Sequence, residues 1–324
     1  MSGHWATIGE AGALTGLRAM VWIHTHLGRS AFNVALVPVM AYFFLRRPYE
    51  RRASKDYLKK VKRQYPDRLP GSVNSWLSYR HFFAFGQALL DKVVAWLQPP
   101  TDIDMEPGQK QLLFKLAEED PEGILLIGSH FGNLEYSRSI ALRHPNLVIN
   151  VLLYDKHAAN FAALVSDSAP ESRMNLIQVT DLDVELAIRL KEKVQNGEWV
   201  LIAGDRVPVG SSGNVCKATF FGEPADFPIG PFVLANLLRC PVYLLHCFLK
   251  DGQYHLGMEL FAEELRPSRH DKRRNYESEA QKFATALERQ VCREPLQWFN
   301  FYDFWGDRNT SQPQTDRLRD DDQE

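Results

Sequence analysis

The chain has 324 residues, 45% hydrophobic and 24% charged, with a formal net charge of -2. That balance excludes a largely disordered chain and gives no case for a nucleic-acid binder; the length allows one large domain or two modest ones. Four scattered cysteines, Cys216, Cys240, Cys247 and Cys292, form no C-x-x-C, so they read as free thiols of a reducing compartment, not as a disulfide framework or a zinc site.

The charge is unevenly spread. Residues 1–66 carry eleven Lys/Arg against Glu10, Glu50 and Asp56, a net of +8. Within them Ser30 to Leu45 is the most apolar run of the protein, bounded by Arg29 and by Arg46-Arg47-Pro48. It is shorter than the roughly 20 residues a helix needs to cross a bilayer, and Pro38 is expected to kink it. No small-residue cleavage site follows, so it does not read as a cleaved signal peptide. With the apolar stretch Leu17 to His26 before it, the pattern fits a helical hairpin lying in one leaflet with basic residues on anionic headgroups. A buried helix of a soluble domain and a single span are the alternatives. The reading divides the chain into 1–66, basic membrane-associating helices; 67–308, an α/β domain; and 309–324, an acidic tail expected to be disordered.

Apolar and aromatic residues from Arg80 to Gln98 recur at helical spacing, and Pro99-Pro100 ends them. Residues 101–120 read as a loop and a short helix. Strands are expected at 123–128, 146–153, 175–179, 198–203 and 241–248, with 254–260 pairing onto the last. Helices are expected at 133–143, 157–168, 183–195, 229–238 and 277–292, with Asp183 as an N-cap. This alternation predicts an α/β fold with a mostly parallel sheet flanked by helices. Ligands of such sheets collect beyond the carboxyl ends of the strands.

Several familiar sites are absent from the sequence. It holds no P-loop, no G-x-G-x-x-G after a strand, no G-x-S-x-G and no H-E-x-x-H. His24-Thr-His26 has no acidic neighbour, so no metal is assigned. The chemistry-bearing stretch is Gly128-Ser-His130-Phe-Gly132-Asn133-Leu-Glu135, at the end of the first strand. His130 and Glu135 can meet only if the histidine lies in the turn and the glutamate in the first helical turn, a turn that Gly132 permits. A carboxylate on one imidazole nitrogen leaves the other free to take a proton. The bland alternative is a turn histidine beside a capping carboxylate.

His130-x4-Glu135 after a strand resembles the H-x4-D/E motif of the lysophospholipid acyltransferase-like superfamily, in the form seen in its lipid A late acyltransferase branch. Two further blocks are similar to that branch. One is Gly197-Glu-Trp-Val-Leu-Ile-Ala-Gly-Asp205-Arg206, followed by Phe-Phe-Gly222 and Pro228-x-Gly230-Pro231. The other is Pro295-Leu-Gln297-Trp298. The resemblance covers about residues 5 to 306. Arg206 stands where the branch has glutamine, and Phe301-Tyr302-Asp303-Phe304-Trp305 replaces a His-Arg pattern, so the chemistry carries over better than the acceptor.

The resemblance implies a membrane-associated acyltransferase. It would move a fatty acyl group from acyl carrier protein or coenzyme A to a hydroxyl or amine of a lipid or lipid-like acceptor. His130 would be the base and Glu135 its orienting partner. Gly132 and Asn133 would offer backbone N–H groups to an oxyanion, and Asp205 would position acceptor or base. Arg206, with Lys217 or Arg239, would hold a donor phosphate. Trp5, Trp22, Phe43 and Phe44 are candidate walls of an acyl channel. No cofactor is implied beyond the thioester donor. The expected setting is the cytoplasmic face of a bacterial inner membrane, as a monomer or weak dimer. A thioesterase or lipid hydrolase on the same pair, or a non-catalytic lipid-binding protein, are the competing readings.

Overall fold

A computed structural model of the chain describes residues 10–97, 103–144, 146–153, 174–179, 184–208, 214–266 and 272–306. The helix expected over 157–168, Asp183, Trp5 and the tail 309–324 lie outside the described residues.

The centre is a seven-stranded sheet in the order β1-β9-β8-β2-β5-β3-β4. Its strands are β1 (Asp104–Met105), β2 (Leu125–Gly128), β3 (Ile149–Leu153), β4 (Met174–Gln178), β5 (Trp199–Ala203), β8 (Val242–Lys250) and β9 (Gln253–Ala262). Every neighbouring pair is parallel except β8 with β9. Side chains alternate between two cores, as a pleated strand requires. Leu125, Ile127, Val200, Ile202, Val242 and Leu244 face one. Leu126, Trp199, Leu201, Tyr243 and Leu245 face the other. Burial on both faces is why these strands read as unbroken apolar runs.

Helices α4 (Gln109–Phe114), α5 (Arg138–Arg143), α6 (Val184–Gln195), α7 (Gly230–Leu238) and α8 (Lys272–Val291) flank the sheet. An antiparallel hairpin of β6 (Val215–Phe220) and β7 (Glu223–Pro228) stands apart as a second sheet. No strand is expected there from the sequence.

The N-terminal layer comprises α1 (Glu10–Arg46), α2 (Pro48–Gln64) and α3 (Ser75–Leu97). Pro38 lies inside helix; the irregularity in α1 falls at Gly28, with φ 83° and ψ 175°. A proline costs one hydrogen bond, whereas that φ breaks the helical path outright. Phe32, Leu36 and Met40, spaced by four, share a cluster with Phe82 and Leu90 of α3, and Met20, Val21 and Ile23 pack on it. The other side of α1, with Trp22, Val34, Val37, Tyr42, Phe43 and Leu45, is exposed. Helix Ala19–Arg46 is long and apolar enough to cross a membrane by length and composition. Helix α2 begins on Pro48, a favoured first helical residue. It buries Tyr57, Leu58 and Val61 in the main core.

Candidate active site

Sheet register brings the site together. Gly128, the last residue of β2, pairs in parallel with Ala203, the last of β5. His130 and Asp205 each lie two residues further on, so they emerge side by side from the carboxyl edge. His130 Nδ1 is 2.8 Å from Asp205 Oδ1, and the His130 backbone N–H donates to Asp205 Oδ2 at 2.9 Å. An ionised carboxylate only accepts, so Nδ1 carries the proton and Nε2 holds the lone pair. Nε2 has no hydrogen-bond partner among the described residues. The Asp205 side chain is sealed from solvent, while 34% of the His130 side chain is accessible.

Burial alone would raise the Asp205 carboxyl. The His130 and Arg206 charges and the hydrogen bonds outweigh it and bring the pKa down to about 2. For His130, burial lowers the pKa, Asp205 opposes that, and the Arg206 and Lys92 charges add to the lowering. The net direction is below the ordinary histidine value, so the imidazole is neutral at pH 7, in the state of a base.

The loop after β2 is stitched on two sides. Phe299 N–H donates to His130 O at 2.9 Å, Gly132 N–H to Gln297 O at 2.8 Å, and Asn133 N–H to Cys247 O at 2.7 Å. Gly132 has φ +70°, and a Cβ there would lie 1.9 Å from Cys247 O. No other residue fits both the angle and the approach. The two N–H groups expected to face an oxyanion, those of Gly132 and Asn133, are therefore engaged within the protein. Asn133 is buried, and its Oδ1 accepts from Glu135 N–H at 3.3 Å, the local cap typical of asparagine.

Glu135 lies in the short helical turn Leu134–Ser137. Its Oε1 is 2.7 Å from Lys92 Nζ of α3. The structure thus gives His130 an aspartate partner and Glu135 a lysine partner. Arg206, expected at a donor phosphate, donates from Nε to Asn300 Oδ1 at 2.6 Å and from Nη2 to Phe299 O. Arg239 caps α7 in a left-handed conformation just before β8, at the amino edge of the sheet and away from His130. Lys217 is exposed on β6, opposite Asp226.

Sequence reasoning assigned no role to Lys92, Trp298 or Asn300. Trp298 Nε1 and Asn300 Nδ2 both donate to Asp205 Oδ2, at 3.0 and 2.9 Å. Trp298 stands in the block Pro295-Leu-Gln297-Trp298, visible as a motif but without a role, and Asn300 lies two residues beyond it. Compared with known sequences, residues 76–306 match the family of bacterial lipid A biosynthesis acyltransferases. Among individually curated proteins none matches the chain.

Proposed function

Since the chain belongs to the bacterial lipid A biosynthesis acyltransferase family, and is thereby an acyltransferase with a lipid acceptor, we propose that it draws the acyl group from a thioester and that His130 is its general base. The reading is carried by one observation: Asp205 holds Nδ1 of His130 and leaves Nε2 open.

In this mechanism Nε2 takes the proton of the acceptor hydroxyl or amine as its oxygen or nitrogen attacks the thioester carbonyl. The tetrahedral intermediate collapses, the carbon–sulfur bond breaks, and the imidazolium returns the proton to the departing thiolate. A thiolate leaves readily, so no covalent acyl-enzyme is needed. Asp205 orients the ring and stabilises its cation, the work the sequence reading gave to Glu135. Glu135 acts beside the pair by balancing the Lys92 charge. The exposed apolar side of α1 and the basic residues that follow it support seating on a membrane. We place the catalytic domain on the cytoplasmic face because acyl thioesters are made in the cytosol.

The test is transfer of radiolabelled acyl groups from acyl carrier protein and from coenzyme A into a total bacterial lipid extract. A labelled lipid formed by the wild type and lost in His130→Ala supports the reading, and isolating that product identifies the acceptor. Release of labelled free acid alone favours a hydrolase. Equal labelling by the variant overturns the base assignment.

A further inference from the structure

We propose that the segment Gln297–Asn300 is the positioning element of the base, with Trp298 and Asn300 holding the Asp205 carboxylate in the one orientation that serves His130. The inference rests on His130 and Asp205 being the base unit. Trp298 and Asn300 are 0% and 1% exposed, so they reach no substrate and act through the groups they hold, Asp205 above all.

The geometry divides the carboxylate's duties. Oδ1 receives His130 Nδ1. Oδ2 receives three donors: His130 N–H, Trp298 Nε1 and Asn300 Nδ2. Three bonds on one oxygen prevent the carboxylate from turning about its own axis. Each donor is itself fixed. The Trp298 ring sits among Tyr57, Phe220 and Phe304, with centroids 4.9, 5.3 and 4.9 Å away. The Asn300 amide has one permitted sense. Arg206 donates to its Oδ1, so its Nδ2 must face Asp205; a flipped amide would set donor against donor.

The same four residues also hold the histidine's own backbone. Phe299 N–H bonds His130 O, and Gln297 O accepts from Gly132 N–H. The segment is anchored in turn. The Gln297 side chain bonds Leu249 N–H and Leu249 O, continuing β8. Tyr57 Oη donates to Pro295 O at 2.6 Å, and His81 Nε2 donates to Trp298 O at 3.0 Å. One short segment therefore fixes both halves of the base.

The role has an electrostatic signature. Neutral donors on Oδ2 draw charge away from Oδ1 and weaken its hold on the imidazolium. Removing one makes Asp205 a stronger partner and raises the His130 pKa. The charged groups acting on His130 are Asp205 and Arg206 after β5 and Lys92 of α3, the last paired with Glu135. Residues 297–300 bring no charge of their own, but Asn300 Oδ1 and Phe299 O also hold Arg206, so Trp298→Phe reads the bond to Asp205 without removing a contact of that charge.

The test is a titration of 15N-histidine-labelled full-length protein in detergent micelles, with the His130 signal identified by its loss in His130→Asn. Trp298→Phe removes the donor and keeps an aromatic ring; Asn300→Leu removes the amide at similar volume. In both variants the His130 midpoint should rise, and acyl transfer from acyl-coenzyme A into a bacterial lipid extract should fall about tenfold, the worth of one hydrogen bond to a charged group. An unmoved or lowered midpoint in folded variants, with or without a slower rate, overturns the proposal, because the neutral donors would then not be drawing charge from Oδ1. If Trp298→Phe does not fold, Asn300→Leu and Asn300→Ser decide. Retained transfer in His130→Ala would overturn the base assignment separately, while the titration would still report whether the segment governs His130.

Discussion

Asp91 and Asp205 are both almost sealed from solvent, and each accepts several hydrogen bonds, yet their surroundings suit them to different work. Asp91 of α3 receives both Nη atoms of Arg29 at 2.8 and 2.9 Å and the Tyr254 hydroxyl at 2.7 Å. Its cationic partner is permanently charged, so the arrangement fastens α1 to the α/β body and has no second state. Asp205 instead has a histidine partner, a side chain able to gain or lose a proton, and that partner keeps an open nitrogen. The lesson is that burial and hydrogen-bond number do not distinguish the two carboxylates. What distinguishes Asp205 is a partner able to change charge and still face outward.

The contrast yields predictions in decreasing size. Replacing His130 by Ala should lower the transfer rate by about 10²–10⁴-fold, the usual worth of a general base, and a thermal melt should show the fold retained. His81 is next. Burial, opposed by its bond to Trp298 O, brings its pKa down to about 4 from an ordinary 6.5. The folded state therefore refuses a proton that the unfolded state accepts below pH 6.5. Stability should be lost as pH falls from 6.5 towards 4, by about 3 kcal/mol in all. His81→Gln should flatten that dependence in denaturant melts recorded across the range.

Asp91→Ala should cost about 1–3 kcal/mol, because it leaves the Tyr254 hydroxyl and the Arg29 guanidinium without their acceptor. Activity per folded molecule should keep the wild-type pH profile; a displaced profile would erase the distinction between the two aspartates. Glu135→Gln should have the smallest effect. It leaves the Lys92 charge less balanced, so the acid limb of the rate profile should move to lower pH. A double-mutant cycle with Lys92→Met tests the route: the shift should shrink when the lysine is gone.

Much of this architecture was legible in the sequence, and the gaps have physical causes. Parallel strands are legible because both faces are buried, and the place of His130 is legible because it follows a strand end. Asp205 was noticed for the same reason, but its pairing with His130 is set by register between strands 75 residues apart, which no local pattern encodes. Glu135 is close to His130 along the chain, and proximity in sequence suggested a pairing; the lysine that takes it lies on α3. Trp298 stands in a visible motif and Asn300 two residues past it, yet the carboxylate that both bond lies more than ninety residues away. The hairpin β6–β7 is poorly legible in the sequence because Pro224 and Pro228 argue against strand; they are tolerated in this isolated two-stranded pair. The irregularity at Gly28 is not legible beforehand because a backbone angle is invisible in sequence.

The most direct test of the account is the pH dependence of acyl transfer in the wild type and in Asp205→Asn. The wild-type rate should fall with acid along a limb below the ordinary histidine value, since His130 must be neutral to act. Asp205→Asn removes the carboxylate that fixes the tautomer, so the rate should drop by about 10²-fold or more across the whole range. A variant that transfers acyl groups at nearly the wild-type rate, with an unchanged limb, would contradict the assignment of His130 and Asp205 as the base.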